Sequence, residues 1–207
     1  MPGLFIAFEG IDSAGKKTQI KLLADKLRES GREVVTISFP SYDTDIGKLI
    51  KGWMSRSLTM SNETASLLYA ADRMQNQIRI KEWLKKSWFV ITDRYCYSNI
   101  TYQSALGLSK KWLISIEEPI IKPDIIFLLN VPETTASTRG TRQETLQSFL
   151  DMEEEKPKET LREKVRKCFL ELADNPPYQR KWFVIDGTKP VEEVLTDIWS
   201  IVQERLA

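Results

Sequence analysis

The chain contains no histidine among its 207 residues. That absence removes imidazole general bases, Ser-His-Asp and Cys-His nucleophile systems, and histidine-containing metal sites. Cysteine is nearly as scarce: Cys96 and Cys168 form no C-x-x-C pair, which leaves no basis for a disulfide framework or a zinc site and fits a reducing cytoplasm. A dominant charge sign is missing too. Thirty Lys and Arg oppose 29 Asp and Glu, a formal net charge of +1, so no global field recruits nucleic acid or a membrane surface, and any anion site has to be local. The apolar opening, Met1 to Phe8, is too short for a spanning helix and lacks the basic start of a signal peptide. We expect a soluble cytoplasmic protein with no membrane and no nucleic-acid partner. Internal repeats, long linkers and low-complexity tracts are absent, so residues 1–207 read as a single domain, and 42% hydrophobic content can bury its core.

What is present alternates. Leu4 to Phe8, Val34 to Phe39, Trp88 to Thr92, Ile125 to Asn130 and Trp182 to Ile185 are short apolar runs separated by helix-length segments. Five strands alternating with helices predict an α/β fold: a five-stranded parallel sheet with helices on both faces. Helices are expected after the first strand, with Ile20, Leu22, Leu23 and Leu27 as an apolar stripe, and near 44–56, 62–86, 97–107, 109–118, 132–139, 158–173 and 190–206. The stretch from about 140 to 157 is polar, ends in an acidic run and has few apolar anchors; it reads as a lid or as a solvated helix end.

Gly10-Ile11-Asp12-Ser13-Ala14-Gly15-Lys16 has the G-x-x-x-x-G-K spacing of a phosphate-binding loop and lies between the first strand and its helix. Glycines permit the turn, successive backbone N–H groups point at phosphate oxygens, and Lys16 reaches the β and γ phosphates. An ordinary strand-to-helix turn is the blander reading, and the position of the motif argues against it. The residue after the lysine, normally a Ser or Thr that helps hold Mg2+, is Lys17, with Thr18 one step later. Farther on, the third strand leads into Asp93-Arg94-Tyr95, which puts a carboxylate and a guanidinium at the carboxyl end of a parallel strand, where open α/β sheets bind ligands. There Asp93 can hold Mg2+ and Arg94 can bridge two phosphates.

With these residues in place the sequence resembles the thymidylate kinase family, P-loop enzymes that transfer phosphate from ATP to thymidine monophosphate (dTMP). The resemblance covers nearly the whole chain. Its anchors are Phe8 to Asp12 with Gly15 to Gln19, Phe39-Pro40, Ile46 to Leu49, Leu67 to Arg73, Asp93-Arg94-Tyr95 with Ser98-Asn99, Lys122-Pro123-Asp124, and Val131-Pro132-Glu133 with Arg139. It implies a P-loop nucleoside monophosphate kinase-like fold with a lid, ATP and Mg2+ as cofactors, dTDP and ADP as products in dTTP synthesis, and a homodimer.

The resemblance also assigns residues. Gly10, Asp12, Ser13, Ala14, Gly15, Lys16, Lys17 and Thr18 would bind ATP together with Arg139 and Gly187. Lys16, Asp93 and Arg94 would be catalytic, Asp93 also serving the metal. Since Ser13 rules out an arginine in the loop, Arg142 becomes the expected lid arginine. On the acceptor side, beside Phe39 and Pro40, Tyr69 replaces the stacking Phe beneath thymine and Arg73 donates to thymine O4. That donor would confront the amino group of cytosine. Asn99 would lie near the base, Tyr102 where a ribose 2'-hydroxyl would sit, with Ser98, Arg94 and Asp12 toward the sugar and phosphate. One departure is Tyr42, where many relatives carry an arginine for the monophosphate, so Lys48, Lys17 or another cation would have to compensate. Two other readings stay open: a kinase of another (deoxy)nucleotide, and a catalytically weak P-loop nucleotide-binding regulatory protein.

Overall fold

The structure, a computed structural model, describes residues 3–139 and 160–206. Strands β1 (Phe5–Glu9), β2 (Val34–Ser38), β3 (Phe89–Asp93), β4 (Ile125–Asn130) and β5 (Lys181–Asp186) form one parallel sheet in the order β2-β3-β1-β4-β5. The central strand β1 is buried along its whole length, whereas the edge strands β2 and β5 expose part of theirs. Continuous apolar sequence therefore marks the middle of the sheet, as burial on both faces requires.

The helices are α1 (Lys16–Glu29), α2 (Asp45–Met54), α3 (Asn62–Gln75), α4 (Gln77–Lys85), α5 (Cys96–Ala105), α6 (Lys110–Glu117), α7 (Glu133–Arg139), α8 (Leu161–Asp174) and α9 (Val191–Leu206). In α1 three of the four predicted stripe residues face the core, Ile20 buried and Leu23 and Leu27 fully so, whereas Leu22 is half-buried outside it and Ala24 takes the inner position. Each fully buried leucine stabilises the fold by about 1.5–3 kcal/mol. Helix α1 packs with α9, while α5 packs with α8 and α4 lies against β3.

The expected single helix over 62–86 is two. At the junction the Asn76 side chain donates to the carbonyl of Asp72 at 2.9 Å, the acceptor its own N–H would use in an unbroken helix. Its backbone N–H turns instead to Arg73 O at 3.2 Å. A local side-chain bond has outcompeted one rung of the ladder.

This topology fixes where a ligand goes. From β1 the chain crosses through α1 to β2, and from β3 it crosses through α5 in the opposite direction to β4. Right-handed crossovers then put α1 and α5 on opposite faces and open a crevice at the carboxyl ends of two adjacent strands. Phe8 pairs with Asp93 in register, so the loop after β1 and the Asp93-Arg94 turn after β3 stand side by side.

Close packing also dictates Gly10. Its φ is +136°, and a Cβ there would lie 2.7 Å from the carbonyl oxygen of Leu129. Gly10→Ala is therefore expected to cost about 2 kcal/mol or more, read as a lowered melting temperature in thermal denaturation.

Candidate active site

A cavity of about 1070 Å³ opens over this crevice. Along one side run Asp12, Ser13, Ala14, Gly15, Lys16, Lys17 and Thr18; Gly15, at φ +96°, turns the chain into α1. The ammonium of Lys16 donates to the carbonyls of Gly10 (3.0 Å) and Ile11 (2.8 Å), leaving one of its three protons for a further acceptor. Burial, and then the neighbouring Arg94, lower its pKa to about 8.

Arg94 occupies the middle of the site with its backbone in the left-handed region, φ +64°. For a non-glycine residue that conformation costs of the order of 1–3 kcal/mol and is characteristic of functional turns. The backbone N–H is pinned to Phe8 O at 2.9 Å. One terminal nitrogen donates to Gly10 O (3.1 Å) and Ser98 Oγ (3.0 Å), the other to Asp12 Oδ1 and Tyr102 OH (3.3 Å). Its guanidinium thus joins the glycine loop to α5. At Asp12 burial opposes ionisation, but the charges of Arg94 and Lys16 outweigh it and hold the carboxyl below its usual range. Asp93 lines the same cavity, and its buried Oδ1 has no partner among the described residues.

Beneath Arg94 lies Glu9, fully buried at the end of β1. It accepts from the backbone N–H of Tyr95 (2.9 Å) and from the Ser98 hydroxyl (2.5 Å), and so sets the first turn of α5. Burial raises its pKa.

The far end of the cavity is aromatic and amidic. Phe39 and Pro40 enter after β2, joined by a cis peptide bond. Tyr69 meets Trp53 edge-on at 6.2 Å, and Tyr102 carries Arg94 over its ring at 5.2 Å. Arg73 is 2% exposed, against the usual expectation of an exposed arginine on an amphipathic helix, because Glu117 on α6 grips it through both carboxylate oxygens. The Asn99 amide donates to the same Glu117 (2.7 Å) and to Ser66 O (3.1 Å). Gln103, one turn beyond Asn99, also lines the cavity.

All the residues assigned from the sequence therefore converge on this cavity, with two exceptions. Gly10 lies just behind its wall and acts through its carbonyl. Arg142 and the segment 140–157 lie outside the described residues. Arg139, at the last turn of α7, donates to Gly187 O (2.7 Å) and Thr188 O (3.4 Å), so these residues make one corner of the site. Arg162, in the first turn of α8, helps to lower the Asp12 pKa and stands on the same side. Of the two lysines expected to compensate for Tyr42, Lys17 lines the cavity, whereas Lys48 is exposed, outside its lining and paired with Asp45 at 2.8 Å; the Tyr42 hydroxyl itself donates to Met54 Sδ at 3.3 Å. Neither Glu9 nor Glu117 was assigned to the site from the sequence: Glu9 had only the faint signal of a carboxylate ending an apolar strand, and Glu117, followed by Glu118, had none.

A glycine loop that feeds a helix, a lysine inside it, and an arginine and an aspartate on the adjacent strand end define a P-loop phosphotransferase. The comparisons with known proteins narrow the class. The sequence profile described as "Thymidylate kinase" matches residues 8–198. A protein named "Thymidylate kinase" from Plasmodium falciparum is 36% identical over 197 residues, 95% of this chain and 88% of that protein. A "Probable thymidylate kinase" from Methanocaldococcus jannaschii is 39% identical over 199 residues, covering 94% and 93% of the two chains. Among solved structures, a thymidylate kinase from Candida albicans, whose published description speaks of broad substrate specificity, superposes with a TM-score of 0.80 at 30% identity over 99% of this chain and 92% of that one. The chain belongs to the thymidylate kinase family, and is accordingly an ATP-dependent nucleoside monophosphate kinase with the P-loop kinase fold.

Proposed function

We propose that this enzyme transfers the γ-phosphate of ATP to dTMP, yielding dTDP and ADP in dTTP synthesis. The observation that carries the reading is Arg94, whose guanidinium touches both the loop suited to ATP and the α5 residues suited to the acceptor. Phosphoryl transfer asks the protein for alignment and charge neutralisation, and no histidine is needed. The acceptor oxygen belongs to a phosphate monoester with a second pKa of about 6, so near neutral pH it is already largely dianionic. Lys16 spends its remaining proton on a donor phosphate. Arg94 exchanges its neutral hydroxyl partners, Ser98 and Tyr102, for phosphate oxygens, since charge-assisted bonds are the stronger. Arg139 and Gly187 close the nucleotide end, and Ser13, Ala14, Lys17 and Thr18 offer backbone or side-chain donors to the phosphates.

Mg2+ fits this site. The unpartnered Oδ1 of Asp93 is the group to hold it, and no cluster of three or more Asp, Glu, Cys or His exists among the described residues to cage an ion without the nucleotide. One carboxylate plus phosphates and water is the set Mg2+ prefers, and the ion would neutralise charge on the phosphates. Lys17 leaves the usual hydroxyl position empty of oxygen, with the Thr18 hydroxyl next along.

At the base end Tyr69 supplies the stacking ring, Arg73 faces O4, and Asn99 and Tyr102 bound the base and the sugar. We read the chain as one kinase domain, with 140–157 as its lid and Arg142 as the lid's arginine. We read it as a cytoplasmic enzyme, as its family resemblance implies; no helix among the described residues is long and apolar enough to cross a membrane.

The homodimer implied by the family has a surface to use. Leu67, Met74 and Ile78 are 49%, 41% and 70% exposed, and with Ala71 they follow the 4-3-4 spacing of an apolar seam along α3 into α4. A second copy of the same seam is its occupant. Ile78→Glu is expected to turn a dimer into a monomer in sedimentation velocity, with wild-type protein monomeric at all concentrations as the opposing result.

The experiment for the activity is ADP formation from MgATP with dTMP, dUMP, dCMP, dGMP and UMP, the products identified by mass spectrometry. A strong dTMP preference is expected. A second reading, a kinase of wider acceptor range, draws on Tyr42 and Lys48, neither of which supplies a cation to the acceptor phosphate. Comparable kcat/KM across several monophosphates would favour it, and ATP binding without transfer would favour a regulatory protein.

A further inference from the structure

Resting on that acceptor assignment, we infer that Glu117 is the positioning residue that sets the hydrogen-bond polarity of the base pocket, through Arg73 and Asn99 together. Three elements meet at its carboxylate, which is wholly buried at the last residue of α6. Its Oε2 accepts from Arg73 Nε at 3.0 Å and its Oε1 from Arg73 Nη2, which leaves Nη1 with no partner among the described residues. Asn99 Nδ2 donates at 2.7 Å to Oε1, the oxygen that also accepts Arg73 Nη2, and Ser66 O holds the same NH2 group at 3.1 Å.

Two acceptors on one end of an amide fix its orientation. Its NH2 has to face α3 and α6, so the carbonyl faces the other way, and Asn99 Oδ1 has no partner among the described residues. Arg73 and Asn99 both line the cavity. Glu117 thereby leaves a donor on one reader and an acceptor on the other. Thymine and uracil present the complement, an O4 acceptor beside an N3–H donor. Cytosine presents the reverse, an amino donor beside an N3 acceptor, and is opposed at both atoms.

An isosteric amide cannot accept from all three donors. If the NH2 of a glutamine takes the place of Oε1, it opposes both Arg73 Nη2 and the Asn99 amide, which has to turn over; if it takes the place of Oε2, it opposes Arg73 Nε and the guanidinium loses half of its grip. Glu117→Gln is therefore expected to lower the ratio of kcat/KM for dTMP over dCMP by about ten- to a hundredfold, the range of one or two polar base contacts. The change falls on KM for dTMP, because the phosphate-handling groups are elsewhere. Glu117→Asp, one methylene shorter and still charged, is expected to recover part of the ratio.

A purely structural role would instead lower the active fraction for every acceptor alike and leave the ratio alone. Unmodified enzyme supplies a measurement that no folding defect can cloud: N3-methyl-dTMP, which lacks the N3–H, is expected to lose at least tenfold in kcat/KM. If folded Glu117→Gln keeps the wild-type ratio, or the wild type accepts N3-methyl-dTMP as readily as dTMP, the inference falls. Absence of any dTMP preference in the wild type would be a failure of the acceptor assignment itself, seen before a variant is made.

Discussion

Replacing Arg94 by alanine is expected to reduce kcat by about a thousandfold or more while leaving the fold in place, the scale seen when a transition-state arginine is removed from phosphoryl transfer. The loss is large because one side chain performs two tasks. It brings positive charge to the transferring group, and its four terminal N–H bonds bind Gly10, Asp12, Ser98 and Tyr102 into one arrangement. The fold survives because the apolar core of β1, β3 and β4 makes no use of the guanidinium. Backbone strain at φ +64° is also much the same for alanine as for arginine. Rapid-quench turnover alongside a thermal melt separates the two effects. A melting temperature near wild type with more than a few per cent of wild-type turnover would remove Arg94 from the centre of the mechanism.

The second large effect belongs to Lys16. Lys16→Ala is expected to lower kcat/KM for ATP by about a hundred- to a thousandfold, as loss of a preorganised charge at the transferring phosphate does. The wild type should carry a signature of this group in its pH dependence. Burial and Arg94 both disfavour the ammonium, so the free enzyme's Lys16 titrates at about 8. Below that pH the charged form dominates; above it the neutral form does. Since kcat/KM reports the free enzyme, it should fall as pH rises through about 8, and ATP binding above that pH should draw a proton from solution. Isothermal titration in buffers of different ionisation enthalpy reads the proton uptake. A profile flat from pH 7 to 9.5, or binding without uptake, would show that Lys16 does not meet the phosphates as an ammonium.

The glycine loop was legible in the sequence because its backbone donors and its lysine come at fixed spacing, and the Asp93-Arg94 turn because two charged side chains directly follow a strand that announces itself as an apolar run. The sheet followed for the same reason: β1 and β4 are buried on both faces and read as unbroken hydrophobic segments. Glu117 was not legible. It ends an amphipathic helix, 44 positions from Arg73, and only the packing of α3 against α6 makes it a partner. Glu9 had a faint signal, a lone carboxylate ending an apolar strand, but its donors lie 86 and 89 positions away. Asn76 broke the expected helix without glycine or proline, through an amide that competes with its own backbone, and helical periodicity on either side conceals such a break. The buried Arg73 reverses the ordinary exposure of its residue type for the same reason as Glu117: each is tolerable in the interior only because the other is there.

That Arg94 bonds to Gly10 and Asp12 on one side and to Ser98 and Tyr102 on the other has a thermodynamic consequence. A ligand that alters its partners on either side would change the state offered on the opposite side, so the two substrates are expected not to bind independently. Linkage then demands symmetry: whatever factor ATP applies to the affinity for the monophosphate, the monophosphate applies to the affinity for ATP. Truncating this one guanidinium would bring that shared factor toward unity, and the two halves of the site would fill as strangers to each other.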